Sequence, residues 1–400
     1  MGLIIPIVLV AICSVVIWRA VDGFSTASEY LGRNLSDGVR GATINAIASS
    51  MPELFTSIFF LFYLNDVDGF SGGIGTTAGS AIFNGQIIPA LVILVVVFSG
   101  AAKYVKVSQK VILRDGIALI GAELILIILI SRETLYWWHG GILMLMYGVY
   151  LTYMLWSMTK GEKMTTDEFH EQSDDGYEPK DEKRHHAVIK GGMTIDLERM
   201  ILGRNRITDA NAWPLLIIST LTIALSCYFL VLACEWIGSE SYYVPFLGTF
   251  EGLGIPILFV ALIIASMASS IPDTIISMKD AQKGNYDDAV SNAFGSNMFD
   301  VCFALGFPLF MYGILIGPIE MDQFIIELSA ELRMLLLLMT LVVFSIFFFG
   351  KYVGKMKAYL LLVIYAFFVV YVVGRSTGNE FIAAIGSVLR EMVYMLPFTQ

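Results

Sequence analysis

A short group of hydroxyl and acidic residues occurs twice in this 400-residue chain, each time within a strongly apolar stretch. The first copy, SSMPE, runs from Ser49 to Glu53, and the second, SSIPD, runs from Ser269 to Asp273. Burying a carboxylate in a membrane-length apolar stretch is costly, so an acid found there is a candidate functional group. Two acids at matching positions in the two halves of a chain strengthen that interpretation.

A second polar motif follows each acid. It reads GSAIFN, ending at Asn84, in the first half and GSNMFD, ending at Asp300, in the second. The acids repeat after 220 positions and the second motif after 216, so the connecting segment is four residues shorter in the second copy. Both motifs are predicted to be helical. This places Ser80 one turn from Asn84, and Ser296 one turn from Asp300, on a single helix face.

Each proline of the repeated motif predicts a break in its helix. Pro52 and Pro272 have no N–H and crowd the carbonyl one turn back, and in lipid a freed carbonyl must find another partner. Hydroxyls, carbonyls and a carboxylate at such a break form a hard-oxygen site that suits Na⁺, Ca²⁺ or Mg²⁺. A packing role is the alternative, because serine, proline and Gly-Ser are common in membrane helix contacts. The pairing of two matched copies favours the ion site.

The composition indicates a polytopic helical membrane protein. Hydrophobic residues make up 56% of the chain, mean hydropathy is +0.73, and apolar runs of about 20 residues recur. The net charge of −10 falls mainly in the middle loop and the external turns, and nothing suggests nucleic-acid binding. The four cysteines lie in apolar runs without metal-ligand spacing, which favours buried packing thiols. The chain opens directly into an apolar run, which we interpret as a first spanning helix.

Ten spans are predicted, and the fold class is an all-α membrane protein with broken helices 2 and 7. The predicted spans are 3–25, 38–64, 73–100, 109–131, 136–158, 213–237, 252–278, 286–313, 331–350 and 356–374. Five spans per half is an odd number, so the two halves must enter the membrane in opposite orientations. Two inverted five-helix repeats with broken helices are typical of secondary transporters.

Three regions follow from these spans. Residues 1–159 form a first repeat, 160–212 a polar loop, and 213–400 a second repeat followed by a C-terminal helix. With the N-terminus outside, all but four of the 25 basic residues are cytoplasmic, including those of the 160–212 loop. The positive-inside rule therefore favours this orientation in the cell membrane.

The polar loop and two other features carry weaker predictions. The loop is rich in acids between 167 and 182 and is not expected to fold alone. It lacks the pattern of a calcium-binding loop, and a regulatory cation site there remains open. An amphipathic surface helix is predicted at 193–206, and a surface or packing helix at 379–396. Glu123, inside the fourth span, is either hydrogen-bonded to a neighbour or part of a cation path, and we favour the former.

At the repeated motifs the chain resembles the cation/calcium antiporter superfamily, most of all the potassium-dependent sodium/calcium exchangers. The matching segments are PELFTS and GTTAGSAIFN in the first half and SIPD and GSNMFD in the second. The family often has Gly-Thr-Ser or Gly-Ser before the proline and acid, whereas this chain has alanine followed by two serines. Serine keeps the hydroxyl, so the site is retained.

The resemblance implies an antiporter that binds cations between the two repeats. It implies that Glu53 and Asp273 are calcium ligands and that Asn84 and Asp300 complete the central site. Asp300 also matches the potassium-dependent branch, so K⁺ is a candidate third ion beside Ca²⁺ and Na⁺. The implied sodium ligands are side chains of Ser49, Ser50, Ser80, Ser269, Ser270 and Ser296, with backbone oxygens near Ala46 and Ser266.

The residues leave other functions open. A calcium/proton antiporter would use the same acids as proton acceptors, although the paired serines favour sodium, and a magnesium or manganese carrier of similar shape is a further alternative. An intramembrane aspartyl protease also needs two buried acids about 3 Å apart, but the chain shows no nucleophile or water-activating motif. A passive channel would not need paired helix breaks. We therefore predict a transporter and not an enzyme.

Overall fold

The computed structural model describes residues 2–33, 44, 46–158, 191–192, 194–203, 206–349 and 352–396. The acidic segment predicted at 167–182 lies outside these residues. In chain order the helices are α1 (Ile4–Leu31), α2 (Ala46–Ser49), α3 (Met51–Phe59), α4 (Asp66–Phe98), α5 (Gln109–Ile130), α6 (Trp137–Met158), α7 (Leu197–Leu202), α8 (Asp209–Gly238), α9 (Ile257–Val260), α10 (Ser266–Ser269), α11 (Ile271–Gln282), α12 (Tyr286–Phe299), α13 (Gly306–Leu315), α14 (Gln323–Phe348), α15 (Lys355–Ser376) and α16 (Glu380–Tyr394). The strands are β1 (Val105–Lys106), β2 (Thr134–Leu135), β3 (Ser241–Val244), β4 (Gly248–Glu251), β5 (Ile319–Glu320) and β6 (Tyr352–Val353).

The chain is a helical, multi-pass membrane protein. Within the described ranges, seven helical segments are long and apolar enough to cross a membrane, or eight if the bent pair 257–269 and 271–282 is one span. Helix α5 is 22 residues long but carries Arg114, Asp115 and Glu123, and it is not among them. The predicted number of ten spans is therefore larger than the number that length and apolarity alone support.

Several helices extend beyond the predicted apolar spans. Helix α1 continues to Leu31 instead of ending near 25, α4 begins at Asp66 instead of 73, and α14 begins at Gln323 instead of 331. The added turns of α1 and α4 contain polar residues and glycines, and they include buried residues such as Tyr30 and Phe70. Gly69, for example, lies so close to the preceding segment that a Cβ there would be 2.5 Å from the Phe60 carbonyl oxygen. Hydropathy does not detect such turns when their side chains are polar or small, even where they pack against the rest of the protein.

The two predicted helix breaks are confirmed. Helix α2 ends at Ser49 and α3 begins at Met51, while α10 ends at Ser269 and α11 begins at Ile271. The bend in the second copy is 40°. Three π-helical turns lie close to these breaks, at Phe60–Leu64, Ala261–Ala265 and Asp300–Ala304. Such turns are found frequently at functional sites.

The helices of the two halves pack on one another in matched pairs. Helix α1 packs along α8, and α5 packs along α14. Helix α6 contacts α13, and α15 contacts α4. Helix α4 also contacts each segment of the second broken helix. The repeated motifs therefore lie at the interface between the halves.

Three short strand pairs were not predicted from the sequence. β1 pairs antiparallel with β6, matching Val105 to Val353, and β2 pairs with β5, matching Leu135 to Ile319. β3 and β4 form a hairpin. With only two residues per strand, the first two pairs have no detectable alternation in sequence. Each nevertheless joins a loop of the first half to a loop of the second.

Helices lie within both predicted accessory segments, although residues 193, 204 and 205 of the first are outside the described part of the chain. Of the helix predicted at 193–206, the described part is α7, where the Asp196 carboxylate accepts a hydrogen bond from the Arg199 N–H at 2.9 Å. The tail forms α16, which packs on α14. Gly386 lies against the Glu331 side chain, and Arg390 pairs with Glu327.

Candidate functional site

Two broken helices bring their serine-proline-acid motifs to one buried location. Ser50 and Ser270 have nearly the same backbone conformation, with φ/ψ of −92°/5° and −84°/2°. Each is followed by a proline within the first turn of the next helix, where a missing N–H costs least. The local sequence therefore sets the same break twice and directs Glu53 and Asp273 from the first turns of α3 and α11.

The Glu53 carboxylate is held by serines from other elements. Its Oε1 accepts hydrogen bonds from the Ser80 hydroxyl at 3.1 Å and from the Ser270 hydroxyl at 3.2 Å. Ser80 Oγ also lies 2.9 Å from Ser270 Oγ and 3.3 Å from Ser269 Oγ. The acid of the first repeat thus shares hydroxyl groups with the motif of the second repeat.

The Asp273 carboxylate has a matching arrangement. Its Oδ1 accepts a hydrogen bond from Ser296 at 2.8 Å. The Asn84 amide lies 3.4 Å from Oδ2 of both Asp273 and Asp300, so it bridges two carboxylates. An amide N–H₂ between two acids reduces their mutual repulsion without adding a positive charge. The structure therefore brings together the last residues of both second motifs.

The remaining predicted site residues lie at the edges of this cluster. The Ala46 carbonyl accepts hydrogen bonds from the Ser50 N–H at 3.2 Å and the Ser49 hydroxyl at 3.3 Å. The Ser266 carbonyl likewise accepts from the Ser270 N–H at 3.0 Å and the Ser269 hydroxyl at 3.2 Å. Both carbonyl oxygens already have protein partners, so an ion there would share them with those donors.

Several buried oxygens of the cluster have no hydrogen-bond partner. These unpaired atoms belong to four fully buried residues and are Ser50 Oγ, Glu53 Oε2, Asn84 Oδ1 and Asp300 Oδ1. Buried polar atoms in native proteins are nearly always paired with protein, water or an ion. None of the ion pairs formed by the described residues includes Glu53, Asp273 or Asp300. The cluster therefore has uncompensated negative charge and unused oxygen lone pairs.

The donor types select the class of ion. Among the described residues, no three acidic, histidine or cysteine side chains converge closely enough to hold a metal by themselves. Any ion bound here would need hydroxyl, amide and carbonyl oxygens beside the carboxylates. All-oxygen sets of this kind suit Na⁺ and Ca²⁺ and disfavour zinc and copper.

Some hydrogen bonds between the halves were not predicted from the sequence. The Asn297 side chain donates to the Ala81 carbonyl at 2.9 Å, and Thr340 donates to Glu123 Oε1 at 2.7 Å. Asn297 and Ala81 are 216 positions apart, which is the spacing of the second motif, whereas Glu123 and Thr340 are 217 positions apart and match neither repeat spacing. Residues at equivalent positions of the two repeats face each other near the axis that relates the halves, so the repeat spacing could have revealed the first contact. The second contact agrees with the favoured interpretation of Glu123 as hydrogen-bonded to a neighbour.

The family comparison covers most of the chain. A family model described as "Sodium/calcium exchanger protein" matches residues 5–156 and 211–374. The human sodium/potassium/calcium exchanger 3 is 39% identical over 122 residues, covering 30% of this chain but only 17% of that protein. The human sodium/potassium/calcium exchanger 4 is 23% identical, covering 69% of this chain and 65% of that protein.

Solved structures give the same fold. A crystal structure of the H⁺/Ca²⁺ exchanger CAX superposes with a TM-score of 0.65 at 13% identity, covering 97% of this chain and 86% of that one. A structure of the sodium-calcium exchanger NCX_Mj superposes with a TM-score of 0.54 at 18% identity, covering 91% of this chain and 98% of that one. At these identities the likeness establishes the fold alone.

Proposed function

The chain belongs to the sodium/calcium exchanger protein family, and from this premise we propose that it is a secondary active antiporter. It exchanges Na⁺ for Ca²⁺ by alternating access, and it acts as a carrier and not as an enzyme. The family model covers both halves of the chain. The match spans only 17% of the length of the human sodium/potassium/calcium exchanger 3, so that protein's activity supports this proposal without establishing it.

One observation carries the proposal. Three fully buried carboxylates, Glu53, Asp273 and Asp300, lie at the interface of two repeated motifs without a cationic partner among the described residues. Unused oxygens of serine, asparagine and acid side chains lie in the same cluster. An unpaired buried charge is strongly destabilising, so a bound cation is the natural counter-charge.

The proposed ion assignments combine the family resemblance at the repeated motifs with the donor types that are present. Calcium, with two charges, is held by Glu53 and Asp273, and Asn84 and Asp300 complete the central site. Sodium, which needs less charge, uses the hydroxyl and backbone oxygens around them. That second set consists of Ser49, Ser50, Ser80, Ser269, Ser270 and Ser296, with the carbonyls of Ala46 and Ser266.

The proposed architecture is ten transmembrane helices in two inverted repeats, 1–159 and 213–400, joined by the loop 160–212. The strand pairs support it. β1–β6 joins the loop after α4 to the loop after α14, and β2–β5 joins the loop after α5 to the loop after α13. Such pairing requires that α4 and α14 end on one side and that α5 and α13 end on the other. Corresponding helices of the two halves, such as α4 and α13, then end on opposite sides.

The free energies of the ion gradients determine how many sodium ions must enter for each calcium ion expelled. For a ten-thousand-fold calcium gradient and 100 mV, expelling one Ca²⁺ costs ~5.5 kcal/mol for concentration and ~4.6 kcal/mol for charge. Each Na⁺ entering down a tenfold gradient returns ~3.7 kcal/mol, so two ions fall short and three suffice. Three carboxylates cannot neutralise three sodium ions and a calcium ion together. Binding is therefore mutually exclusive, which is the basis of exchange.

Calcium/proton exchange is the second candidate, because the CAX exchanger shares the fold. Its acids would exchange protons for calcium. The hydroxyl groups at hydrogen-bond distance from Glu53 favour sodium, since a proton needs no cage of oxygens. The family name and the relatives' names also favour sodium.

The deciding experiment is calcium uptake into proteoliposomes that contain the purified full chain. Sodium, potassium and pH gradients are imposed one at a time at a clamped membrane potential. We expect saturable calcium uptake driven by an opposing sodium gradient. Uptake driven by the pH gradient alone would replace this proposal with calcium/proton exchange, and unsaturable uptake without any gradient would indicate a channel.

A further inference from the structure

The face that carries the central cluster continues one helical turn further in both repeats. Ser57 lies four residues after Glu53 on α3, and Ser277 lies four residues after Asp273 on α11. Residues four apart in a helix share a face. Ser57 and Ser277 are 220 positions apart, the same spacing as the two acids. Both are buried, with exposed fractions of 1% and 0%.

The neighbouring helices extend in the same way. Thr76 lies four residues before Ser80 on α4, and Asn292 lies four residues before Ser296 on α12. They are 216 positions apart, the spacing of the second motif. Both are buried, with exposed fractions of 0% and 5%. Each central half-site is thus followed by a further pair of polar residues that the central cluster does not use.

The two outer pairs differ in their hydrogen bonding. The Asn292 amide donates to the Ser277 hydroxyl at 3.0 Å, which closes the space between α11 and α12. Its own Oδ1 is buried without a partner. Thr76 instead donates to the Gly72 carbonyl of its own helix at 3.1 Å, and Ser57 Oγ is buried without a partner. Only the second-half pair is therefore joined by a hydrogen bond between helices.

We propose that Ser277 and Asn292 form a transit site and gate for the transported cation on the side where α11 ends, with Ser57 as its counterpart on the side where α3 ends. This inference rests on the proposed antiport function. In the present conformation the Ser277–Asn292 hydrogen bond shuts the first route. When it opens, the hydroxyl and the unused amide oxygen become available to a cation that is losing its water shell.

The chemistry suits transit and not storage. Both ligands are neutral oxygens, which bind Na⁺ and Ca²⁺ more weakly than carboxylates do. A cation therefore moves on to the Asp273 carboxylate, one turn away, because the negative charge there binds it more strongly. The buried Ser57 hydroxyl, which lies one turn from Glu53 and has no hydrogen-bond partner among the described residues, fits the same role on the opposite route, where Gly73 of α4 lies beside it.

The first test measures apparent calcium affinity separately from the two sides of the membrane. Oriented vesicles are used, and labelling of Lys283→Cys identifies the side where α11 ends. Asn292→Ala and Ser277→Ala should change the affinity from that side by about fivefold, the scale of one neutral hydrogen bond. The affinity from the other side should stay unchanged. Ser57→Ala, the repeat-matched control, should show the reverse, and the exposed-helix variant Thr152→Ala should change neither.

A second readout does not depend on transport. Ser277→Cys should react slowly with a membrane-impermeant thiol reagent added on the α11 side, and adding Asn292→Ala should speed that reaction several-fold. The native cysteines are all buried, so they give a low background. The gate proposal would be wrong if Ser277→Ala and Asn292→Ala changed the calcium affinity equally from both sides. It would also be wrong if Asn292→Ala left the labelling rate of Ser277→Cys unchanged. If no sodium-driven calcium flux exists at all, the labelling result still decides between an opening route and a merely structural contact.

Discussion

At the scale of single residues, the two repeated acids have different surroundings. Glu53 accepts hydrogen bonds from two serines through one oxygen and leaves the other unpaired, whereas both Asp273 oxygens have partners. The first acid therefore has more free coordinating capacity in this conformation. Uncompensated buried charge lowers stability, which supports the proposed role of both acids in ion binding.

Neutralising either acid should abolish calcium transport and leave the fold intact. Glu53→Gln and Asp273→Asn keep the shape of each side chain and one acceptor oxygen, but they replace the other oxygen with an amide N–H₂ and remove the charge proposed to hold calcium. We expect sodium-driven calcium uptake to fall to background, with elution from size-exclusion chromatography and thermal stability kept or improved. Glu240→Gln changes an exposed acid and is the control. Near-normal uptake in either site variant would show that the ion site is elsewhere.

Asp300 is the residue at which the two second motifs differ in charge, because Asn84 takes its place in the first half. An extra negative charge can be offset by one extra monovalent ion, and the relatives are named for potassium as well as sodium. We expect potassium to stimulate calcium flux in the unmodified chain, and Asp300→Asn to reduce or remove that stimulation. The measurement is flux against potassium concentration at fixed sodium and fixed potential. If calcium flux through the unmodified chain did not depend on potassium concentration, K⁺ would not be a transported ion, and the proposal of Na⁺/Ca²⁺ exchange would be unaffected.

Much of this site could be predicted from residue types and spacing. The repeated Ser-Ser-x-Pro-acid motif identified the acids and serines as candidate site residues. The four-residue spacing in the second motif predicted that its polar residues share one helix face. Spacing within one half could not give contacts between halves, such as the bond from Ser270 to Glu53. Those depend on how closely two helices approach, which is set by packing and not by the motif itself.

At the scale of elements, small residues set that approach. Helix α4 passes so close to the second broken helix that a Cβ on Gly79 would lie 2.3 Å from the Leu262 carbonyl oxygen and 2.7 Å from Ser266 Cβ. The glycine is adjacent to Ser80, whose hydroxyl contacts Glu53. The position of the site therefore depends on the absence of a side chain at residue 79.

Gly79→Ala should separate these two elements and impair transport. Backbone atoms cannot move aside as a flexible side chain can, and overpacking of this kind costs about 1–3 kcal/mol. We expect a lower thermal midpoint and a large loss of calcium flux. Gly121→Ala is the matched control, because nothing lies within 4 Å of its added Cβ. Equal behaviour of the two variants would show that α4 can shift without cost and that the contact does not position the site.

Element boundaries were the least predictable part of the fold. The breaks at Ser50 and Ser270 are local consequences of proline and were found from the sequence. The early start of α4 and the strand pairs β1–β6 and β2–β5 were not, because they depend on burial against distant segments. A two-residue strand gains its hydrogen bonds from a partner more than 180 residues away and carries no local signal.

At the scale of the whole molecule, the strand pairs act as two connections between the halves at loops related by the repeat. Val105 faces Val353 in one, and Leu135 faces Ile319 in the other. In an inverted architecture these connections lie at opposite membrane surfaces. The positive-charge distribution predicts that the first connection lies on the cytoplasmic side and the second outside, with the N-terminus extracellular.

This topology predicts sided labelling at exposed positions of the two strand pairs. Lys106→Cys and Tyr352→Cys should react with an impermeant thiol reagent only after the cells are permeabilised, whereas Glu320→Cys should react in intact cells. The four native cysteines are buried and serve as an internal blank. Both members of the β1–β6 pair must behave alike, because they are hydrogen-bonded to each other. Reaction of Lys106→Cys and Glu320→Cys from the same side would contradict the inverted repeat. If Lys106→Cys reacted in intact cells and Glu320→Cys only after permeabilisation, the repeat would stand and only the predicted orientation would be reversed.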